Sequence, residues 1–570
     1  MSGNYHYNKE LLENPAGSGV AITGISGRFP NSNNVLELRT TLFNKEKSLR
    51  EDTGRWDPNL SGIPQKYGVI KDTEKFDCGF FGVHHRQAQT MSPMTRKSLE
   101  VVMEAIFDAG VNPYQLQGSR TVVFSITSCT DGEIFATSGT LETQSGWMRS
   151  EIAHRISYFL KVKGPSCGLV TDCCGSFLAL DMANASLKME KCDNAIVVAC
   201  NVLQHPEFCR QVAELGVLTP DGECKVFDEN ASGYARSDAI ACVFLQKAKH
   251  AKRVYAKITH IRTANEGYKI GGLLVPSSKT QAELIEATLS ESGINPSQIG
   301  YLEAHGTGTI LGDPQEAESI DVAIAQKRQK PLLIGATKNN IGHTEAASGL
   351  CSLIKVIIAM ESGLIPPTIN IDQLRKGIKG FQENRMRVVT QVEELPNNTY
   401  IGINCFGWGG NIAHLIVEPS TKKVDNESSP NDFPKLVLVS GRSKQAVVET
   451  LHQINRQPNA DFVNLLHHIF KDNVNGHMYR GFTILEDGQQ AKISVELYRQ
   501  HPKKLFVFFG PLESGFLFLK QQSIKVSLFR DTVGFEEVCS AKSQLRRKRY
   551  LAWGVCVTTG YSKGAESVEG

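Results

Sequence analysis

The sequence lacks several features that would place the protein in a particular class. Its 62 Lys and Arg residues are nearly balanced by 59 Asp and Glu residues, and a net charge of +3 provides no general basic field for nucleic acid. No apolar run is long enough to span a membrane. The first residues lack the charged and apolar regions of a secretion signal. We therefore predict a cytoplasmic protein with no nucleic-acid partner and no membrane insertion.

The fourteen cysteines of the chain form no recognisable metal-binding or disulfide pattern. They scatter without the spacing of zinc ligands, and most lie in apolar segments, where a reduced cysteine packs as a small hydrophobic residue. The adjacent histidine pairs at 84–85 and 467–468 would point their rings in different directions. We therefore predict no metal site and no disulfide framework.

The arrangement of apolar runs predicts an α/β protein with more than one domain. A chain of 570 residues with 41% hydrophobic and 21% charged residues is ordinary for a globular protein but too long for one compact core. Short β-branched runs alternate with amphipathic segments, which is typical of a largely buried sheet covered by helices. The strand candidates are 20–24, 121–125, 195–200, 239–245, 299–304 and 332–336, and the helical candidates are 94–109, 175–189 and 280–292.

A polar run at residues 420–434 predicts a linker between a large first unit and a smaller second one. The second unit begins with a β-like run at 435–440 and continues with a helical segment near 462–470. Another β-like run lies at 505–509. The hydrophobic periodicity fades beyond this run, and no helix or strand is predicted for residues 540–570.

Cys173 is the first candidate for catalytic chemistry. The residues before it, 169–172, are typical of the end of a strand, and a helix is predicted to follow. A thiol at such a turn lies near the positive end of the helix dipole, which is expected to lower its pKa below the usual value of roughly 8.5. On this segment alone, a buried structural cysteine is an equally good interpretation.

Two histidines in glycine-rich settings favour the catalytic interpretation. His305 follows an apolar strand and opens a loop with glycines at 306 and 308, and His343 follows Gly342 and precedes a run of small residues. A thiol nucleophile with two imidazoles is the equipment of acyl-thioester chemistry. A further glycine-rich segment, 404–414, is typical of a turn whose backbone N–H groups can hold an oxyanion.

One motif is rejected on its context. Residues 164–168 satisfy the serine-hydrolase pattern Gly-x-Ser-x-Gly. However, Pro165 precedes the serine and a strand is predicted to follow it, which reverses the strand-turn-helix order that this chemistry requires.

Together, these motifs resemble the Cys-His-His site of the β-ketoacyl synthases, the condensing enzymes of fatty-acid and polyketide synthesis. The resemblance covers about residues 19–419 and is closest to the animal type I fatty acid synthases. Further matching stretches lie at 75–82, 154–158, 216–222 and 227–236. Residues 435–500 are similar to the linker domain that follows the synthase in those multienzymes.

The resemblance implies a thiolase-like fold, in which two similar α/β halves form five layers and dimerise through a sheet edge. It assigns residues 18–260 and 261–419 to the two halves and 420–434 to a polar linker. A small α/β linker domain would follow at 435–505, and 506–570 would hold a vestigial or truncated acyltransferase start with an unassigned tail. No acyltransferase nucleophile motif follows, so a truncated multienzyme or a free-standing synthase is expected.

The resemblance also implies a two-stage reaction. Cys173 would take an acyl group from the phosphopantetheine thiol of an acyl carrier protein. Malonyl-carrier would then lose carbon dioxide, and its carbanion would attack the Cys173 thioester. His305 and His343 would stabilise the enolate, and Lys338 would tune or orient them. No tightly bound cofactor is expected, because the carrier supplies the phosphopantetheine.

Other residues of the family's site have counterparts here. Backbone N–H groups of Cys173 and Trp408 would hold the second oxyanion, and Trp408 with Gly409 would form the gate. The residues expected to surround these groups are Thr307, Thr309, Glu345 and Phe406.

The sequence departs from the family pattern around the nucleophile. The family usually reads Asp-Thr-Ala-Cys-Ser-Ser-Ser, whereas this chain has Asp172 directly before Cys173 and Cys174 directly after it. A carboxylate at position 172 would raise the thiol pKa if it points inward. Cys174 offers a competing thiol, and Trp408 replaces the usual phenylalanine gate.

Three functions remain open at the level of sequence. The first is a condensing enzyme that joins acyl and malonyl thioesters. The second is a non-catalytic dimer partner that keeps the fold for assembly or carrier docking, which the altered nucleophile loop motivates. The third is a decarboxylase that needs the histidines but not the thiol.

Overall fold

A computed structural model describes residues 19–51, 53–57, 60–128, 148–420, 435–456, 460–485, 493–497, 504–507 and 555–558. The chain forms two compact units. The larger contains residues 19–109 and 115–420, and the smaller contains residues 110–114 and those described from 435 onward. The linker predicted at 420–434, except its first residue, lies outside the described residues. So does most of the predicted segment 506–570; within its tail at 540–570, where no element was predicted, residues 555–558 are described and form a strand.

The larger unit alternates strands and helices along most of its length. Its strands are β1 Val20–Arg28, β2 Leu49–Arg50, β3 Tyr67–Gly68, β4 Val122–Thr127, β5 Ser166–Val170, β6 Asn194–Asn201, β7 Ala239–Lys247, β8 Ala256–Asn265, β9 Ile299–Glu303, β10 Leu332–Gly335, β11 Leu364–Ile365, β12 Met386–Val388, β13 Glu393–Glu394, β14 Tyr400–Phe406 and β15 Asn411–Pro419. Its α-helices are α1 Val35–Phe43, α2 His85–Thr90, α3 Pro93–Asp108, α4 Arg149–Leu160, α5 Gly175–Lys188, α6 Pro206–Glu214, α7 Ser278–Ser292, α8 Gly312–Ala323, α9 Lys338–Ile341, α10 Ser348–Ser362 and α11 Lys379–Gln382. Among the helices of the described residues, none has the length and apolar character that crossing a membrane requires.

The main sheet of the larger unit is built from two halves with the same strand order. One half reads β5-β4-β6-β7-β1 and the other β10-β9-β14-β15-β8, and β12 adds to the outer edge of the second to complete the 11-stranded sheet. In each half the first two pairings are parallel and the next two antiparallel. The halves join where β1 pairs with β8. The duplication predicted from the resemblance is therefore present.

Two buried helices, α5 and α10, form the layer between the halves. Each contacts the other, and each contacts strands of both halves. A glycine allows their close approach, because a Cβ at Gly349 would lie 2.4 Å from Ser176 Oγ. Helices α3 and α4 cover the other side of the first half, and α7 packs on the second half beside α8. The resulting five layers confirm the predicted thiolase-like architecture.

Local sequence signals account for several element boundaries. Helix α3 begins where the Ser92 side chain accepts the Met94 N–H, with Pro93 in the first turn. Helix α7 begins at a comparable cap, in which the Ser277 side chain accepts the Thr280 N–H, and it ends at Gly293 in the left-handed conformation. The six predicted strands and the three predicted helices of this unit are all present, with ends that differ by a few residues.

The smaller unit pairs an antiparallel sheet with two helices. Its elements are β16 Lys435–Gly441, α12 Lys444–Arg456, α13 Ala460–Phe470, β17 Tyr479–Leu485 and β18 Ser494–Leu497, with the sheet order β16-β17-β18. A separate strand pair joins β19 Lys504–Val507 to β20 Val555–Thr558. The predicted elements at 435–440, 462–470 and 505–509 correspond to β16, α13 and β19.

Candidate active site

Cys173 lies at the turn between strand β5 and helix α5. Its thiol is buried, with the residue 8% exposed. The Cys173 carbonyl is held from the other half of the unit, because it accepts hydrogen bonds from Cys405 Sγ at 3.1 Å and Ser348 Oγ at 3.4 Å. The predicted strand-to-helix turn is therefore confirmed. Ser166, the serine of the rejected hydrolase motif, is the first residue of β5, whereas a hydrolase nucleophile would lie at the turn after a strand.

His343 contacts the thiol directly. Its Nε2 lies 3.0 Å from Cys173 Sγ, and its backbone is fixed by a hydrogen bond from its N–H to the Ala235 carbonyl at 2.8 Å. On the other side of the ring, Nδ1 accepts the Glu345 backbone N–H at 3.2 Å. Because Nδ1 is an acceptor, the neutral ring carries its proton on Nε2 and donates it toward the sulfur.

His305 and Lys338 complete the group. The rings of His305 and His343 have centroids 5.6 Å apart and lie at 87° to each other. Lys338 Nζ donates to the His305 carbonyl and lies 3.5 Å from its Nδ1. The ammonium group therefore faces the inner nitrogen of His305, which leaves Nε2 as the nitrogen that carries the proton.

Two buried carboxylates of helix α8 shape the loop that carries His305. Glu316 accepts the backbone N–H groups of His305 and Gly306, each at 2.7 Å. Asp313 accepts the Gly308 N–H at 3.0 Å. These two carboxylates therefore fix three backbone N–H groups of the loop after β9. We did not predict them, although the run Gly-Asp-Pro-Gln-Glu at 312–316 carries the signal.

Burial dominates the electrostatics of the site. It raises the pKa of the Cys173 thiol well above its usual value, and the carboxylates of Glu345 and Asp172 raise it further against the opposing effect of Lys338. The predicted lowering of this pKa by the helix dipole is therefore wrong, because desolvation and two nearby negative charges outweigh it. Burial, and then Lys338, also lower the pKa values of His305 and His343 well below 6.5. Both imidazoles are neutral at neutral pH.

Glu345 is held by a buried ion pair. Its Oε1 accepts from Arg236 Nε at 2.6 Å, and its Oε2 accepts from Arg236 Nη2 at 3.2 Å and from Ser128 Oγ at 3.3 Å. Arg236 has no exposed side-chain surface. A charge pair in this position fixes the backbone N–H that Glu345 donates to His343. Arg236 was not predicted, because nothing in its own segment indicates this partner.

The predicted gate is the tip of the hairpin between β14 and β15. Trp408 is 36% exposed and its ring lies 6.2 Å from that of Tyr234. Among the hydrogen bonds of the described residues, neither the Trp408 N–H nor the Cys173 N–H has an acceptor. The Gly409 N–H, in contrast, donates to Asp172 Oδ2 at 2.9 Å.

A cavity of about 450 Å³ opens beside the two histidines. Cys173 is not among its lining residues. The Thr307 and Thr309 hydroxyls lie 3.0 Å from each other at its wall, and Phe406 packs with its ring 5.8 Å from that of His305. The predicted site residues on its lining are His305, His343, Thr307, Thr309, Phe406 and Trp408. Within the described part of the chain, no group of three or more His, Cys, Asp or Glu side chains is arranged to hold a metal ion.

Domain profiles of known families match most of the chain. The β-ketoacyl synthase N-terminal domain matches residues 18–251, and the β-ketoacyl synthase C-terminal domain matches 255–372. The ketoacyl-synthetase C-terminal extension matches 375–484. The matches thus include all the predicted catalytic side chains.

Relatives and solved structures agree with these profiles. The chain is 43% identical to a fatty acid synthase from Anser anser anser over 349 residues, which are 60% of this chain and 99% of that sequence. It is 33% identical over 458 residues to a phenolphthiocerol/phthiocerol polyketide synthase from Mycobacterium tuberculosis, covering 76% of this chain and 24% of that protein. It therefore spans about a quarter of this second relative.

Among solved structures, the ketosynthase from module 6 of the bacillaene synthase of Bacillus subtilis 168 superposes with a TM-score of 0.74 at 26% identity, over 82% of this chain and 83% of that one. An oxazolomycin ketosynthase domain from Streptomyces albus JA3453 gives a TM-score of 0.76 at 25% identity, over 86% and 92%. The chain belongs to the β-ketoacyl synthase family, the decarboxylating condensing acyltransferases of fatty-acid and polyketide synthesis.

Proposed function

We propose that the chain transfers an acyl group to Cys173 and condenses it with a malonyl thioester, with loss of carbon dioxide. The observation that carries the proposal is the contact of Cys173 Sγ with a proton-bearing His343 Nε2, beside a second neutral imidazole at His305. A buried nucleophile and two fixed donors suit a reaction that forms one oxyanion after another.

The first stage loads the enzyme. The sulfur of Cys173 attacks the thioester carbonyl of the acyl donor, and the pantetheine sulfur leaves. His343 Nε2 already carries a proton, so it does not accept the thiol's proton, which passes to the departing pantetheine sulfur. The free backbone N–H groups of Cys173 and Trp408 are the donors for the oxyanion of this stage.

The second stage forms the carbon–carbon bond. The bond from the malonyl α-carbon to its carboxylate breaks, carbon dioxide leaves, and the electron pair moves into an enolate. The Nε2–H groups of His305 and His343 donate to the enolate oxygen, and Lys338 holds His305 in orientation. The α-carbon then attacks the acyl carbonyl on Cys173, and the cysteine sulfur is released.

The substrates are proposed to arrive on an acyl carrier protein, whose phosphopantetheine arm supplies the thiol. The cavity beside the histidines, with the Thr307 and Thr309 hydroxyls on its wall, provides room for such an arm. The chain itself would hold no tightly bound cofactor. A cytoplasmic homodimer acting in fatty-acid or polyketide synthesis is the setting that we propose.

Two other candidates rest on specific observations. The raised pKa of the Cys173 thiol favours a non-catalytic partner, because little thiolate forms at neutral pH. The intact pair of neutral imidazoles favours a decarboxylase that does not need the thiol. Decarboxylation of malonyl-pantetheine that survives in Cys173→Ala but is lost in His305→Ala would identify the latter.

The proposed function is tested by acyl transfer from an acyl-pantetheine thioester, followed by intact-mass analysis and peptide mapping. We expect one acyl adduct on Cys173 in the wild type and none in Cys173→Ala. Cys174→Ser is the matched control, because Cys174 is also buried but makes no hydrogen bond with His343 among the described residues, and it should keep the adduct. An adduct shared among several cysteines, or none at all, would favour the non-catalytic partner.

A further inference from the structure

Asp172 links the nucleophile turn to the tip of the hairpin between β14 and β15. Its Oδ2 accepts the Gly409 N–H at 2.9 Å, and its Oδ1 accepts the Cys174 N–H at 3.2 Å. The two donors belong to segments more than 200 residues apart in sequence, since the Asp172–Gly409 contact spans 237 positions. One half-buried carboxylate thus bridges both halves of the larger unit.

The hairpin tip is shaped to receive this carboxylate. A Cβ at Gly407 would lie 2.1 Å from Asp172 Cγ, so only glycine leaves room for the side chain at this position. The tip itself is a tight turn, in which the Gly407 N–H donates to the Asn411 carbonyl at 2.7 Å and the Gly410 N–H to the Gly407 carbonyl at 3.2 Å. Asp172 is therefore in contact with a defined turn.

The two partners of Asp172 are adjacent to the two free donors of the site. Gly409 follows Trp408, and Cys174 follows Cys173, whose N–H groups are the proposed oxyanion donors. We propose that Asp172 is a positioning residue that holds the hairpin tip, residues 407–410, against the nucleophile turn and so fixes the spacing of these two donors. The effect on catalysis rests on the proposed function, whereas the structural link does not.

The same carboxylate acts on the thiol through its charge. The carboxylates of Glu345 and Asp172 and the ammonium of Lys338 are the charged groups that act on Cys173. The titratable groups that interact with it are His343 in direct contact, Cys405 on β14, the adjacent Cys174 and Tyr234. Glu345 is paired with Arg236. Asp172 is held by backbone N–H groups alone and lacks an ion pair among the described residues. Its negative charge therefore opposes thiolate formation while its hydrogen bonds order the loops.

Two substitutions separate these effects. Asp172→Ala removes the hydrogen bonds and the charge, whereas Asp172→Asn removes the charge but keeps one acceptor oxygen and the shape. Asp228→Asn is the matched control, because Asp228 also accepts backbone N–H groups, from Asn230, Asp372 and Gln373, and does not act on Cys173.

Hydrogen–deuterium exchange of the folded protein tests the structural link. We expect exchange at residues 404–411 and 171–175 to be at least about tenfold faster in Asp172→Ala, and Asp172→Asn to keep the protection of one of the two segments. Unchanged exchange in both segments of Asp172→Ala would overturn the proposal. If Asp172→Ala does not fold, Asp172→Asn provides the test. Unchanged exchange in both segments of Asp172→Asn would then overturn the proposal.

Alkylation of Cys173 by iodoacetamide across pH tests the charge, with fragment ions used to separate Cys173 from Cys174. We expect both Asp172 variants to react at lower pH than the wild type and Asp228→Asn to follow the wild type. An unshifted profile in Asp172→Asn would contradict the effect of charge.

At equal thiolate fraction, acyl transfer should be roughly tenfold or more slower in Asp172→Ala, because its oxyanion donors are less well placed.

Failure of the proposed function would give a different pattern. In that case the wild type forms no acyl adduct on Cys173 from acyl-pantetheine. Exchange and alkylation do not depend on acyl transfer, so they would still show whether Asp172 links the two segments.

Discussion

At the scale of single residues, the tautomer of His343 determines what it can do. Its Nδ1 accepts the Glu345 N–H, so its Nε2 donates to Cys173. A second proton would place an N–H on Nδ1 directly against the Glu345 N–H. The ring can then no longer occupy its position, and the donor toward the substrate is lost. The lowered histidine pKa values prevent this at neutral pH.

Lys338→Met should move the acid limb of malonyl-pantetheine decarboxylation to higher pH. The positive charge of Lys338 contributes to the lowered pKa of both histidines, so its removal raises these pKa values, although burial continues to lower them. The rate on the alkaline plateau should also fall roughly ten- to hundredfold, because His305 loses the group that orients it. Release of carbon dioxide measured from pH values well below 6.5, where the lowered histidine pKa values place the acid limb, up to the alkaline plateau checks both effects.

Lys269→Met provides the matched control for this measurement. Lys269 also lines the cavity, but it pairs with Glu266 and does not contribute to the pKa of either histidine. We expect this variant to keep the wild-type profile. A shift of the acid limb in Lys269→Met as large as in Lys338→Met would contradict the specific effect of Lys338.

The residues of the candidate site could be identified from sequence because they lie in distinctive segments that resemble a known family. Their electrostatics could be predicted only in part, since the effect of Asp172 was expected and that of burial was not. The position of Cys173 before a helix is visible in the chain and predicts a lowered pKa. Burial and the approach of Glu345, which is 172 positions further along the chain, raise the pKa instead. A local pattern contains no information about a charge that folding brings from another segment.

At the scale of elements, a buried polar network joins β9, β10 and α10 behind the histidines. Glu303 accepts from Tyr301 Oη at 2.6 Å and from the Thr337 backbone and hydroxyl, the residue before Lys338. Lys355 of α10 lies 2.9 Å away as its counter-ion, and neither side chain is exposed. The network thus fixes the ends of β9 and β10, the two strands that His305 and Lys338 follow in the chain.

Lys355→Met should destabilise the larger unit by about 3–5 kcal/mol, because it leaves the charge of Glu303 buried without a cation. Chemical denaturation followed by circular dichroism measures the change in midpoint. Glu303→Gln combined with Lys355→Met should recover part of the loss.

The exposed pair of Lys327 and Glu286 is the control for this prediction. Its side chains are 45% and 43% exposed, so Lys327→Met should change stability by only about 0–1 kcal/mol. Equal effects of the two lysine substitutions would contradict the role of burial.

Strands β14 and β15, which the sequence did not predict, contain polar residues in buried positions. Strand β15 includes His414, which has no exposed surface and whose Nδ1 lies 2.7 Å from Asn404 Oδ1 on β14. Strand β8 is half-buried over much of its length and mixes charged with β-branched residues. Such strands lack both the apolar run and the regular alternation on which sequence reading depends. The central strands, such as β6, are apolar and were found.

At the scale of the whole molecule, the site combines equivalent positions of two duplicated halves. Cys173 precedes α5, the helix after β5, which is the third main-sheet strand of the first half in chain order. His343 precedes α10, which follows β10, the third main-sheet strand of the second half in chain order. No repeat is visible in the sequence, because the same strand order is built from unlike residues. Only the folded sheet shows the correspondence.

The outer strand of the first half provides a test of the proposed homodimer. Among the described residues, β5 is an edge strand of the main sheet. Val170 on β5 is 52% exposed, and Tyr158 on the adjacent helix α4 is 87% exposed. We expect light scattering to give twice the 62.7 kDa mass of the chain for the wild type. Val170→Lys combined with Tyr158→Lys should shift it toward the single-chain mass, since charge on an edge opposes pairing.

Leu36→Lys is the control for this substitution, because Leu36 is 69% exposed on the distant helix α1. It should leave the dimer intact. A wild type that remains at the single-chain mass at all concentrations would contradict the proposed homodimer.

The separation of the thiol from its imidazole has a consequence for synthesis of the chain. Cys173 and His343 are 170 positions apart, so translation at about 5–20 residues per second delivers the sulfur roughly 10–30 s before the ring. During this interval the nascent polypeptide contains a nucleophile without its donor. The thiol, its imidazole and Lys338 therefore come together as one site only after the second half of the larger unit has emerged from the ribosome and folded.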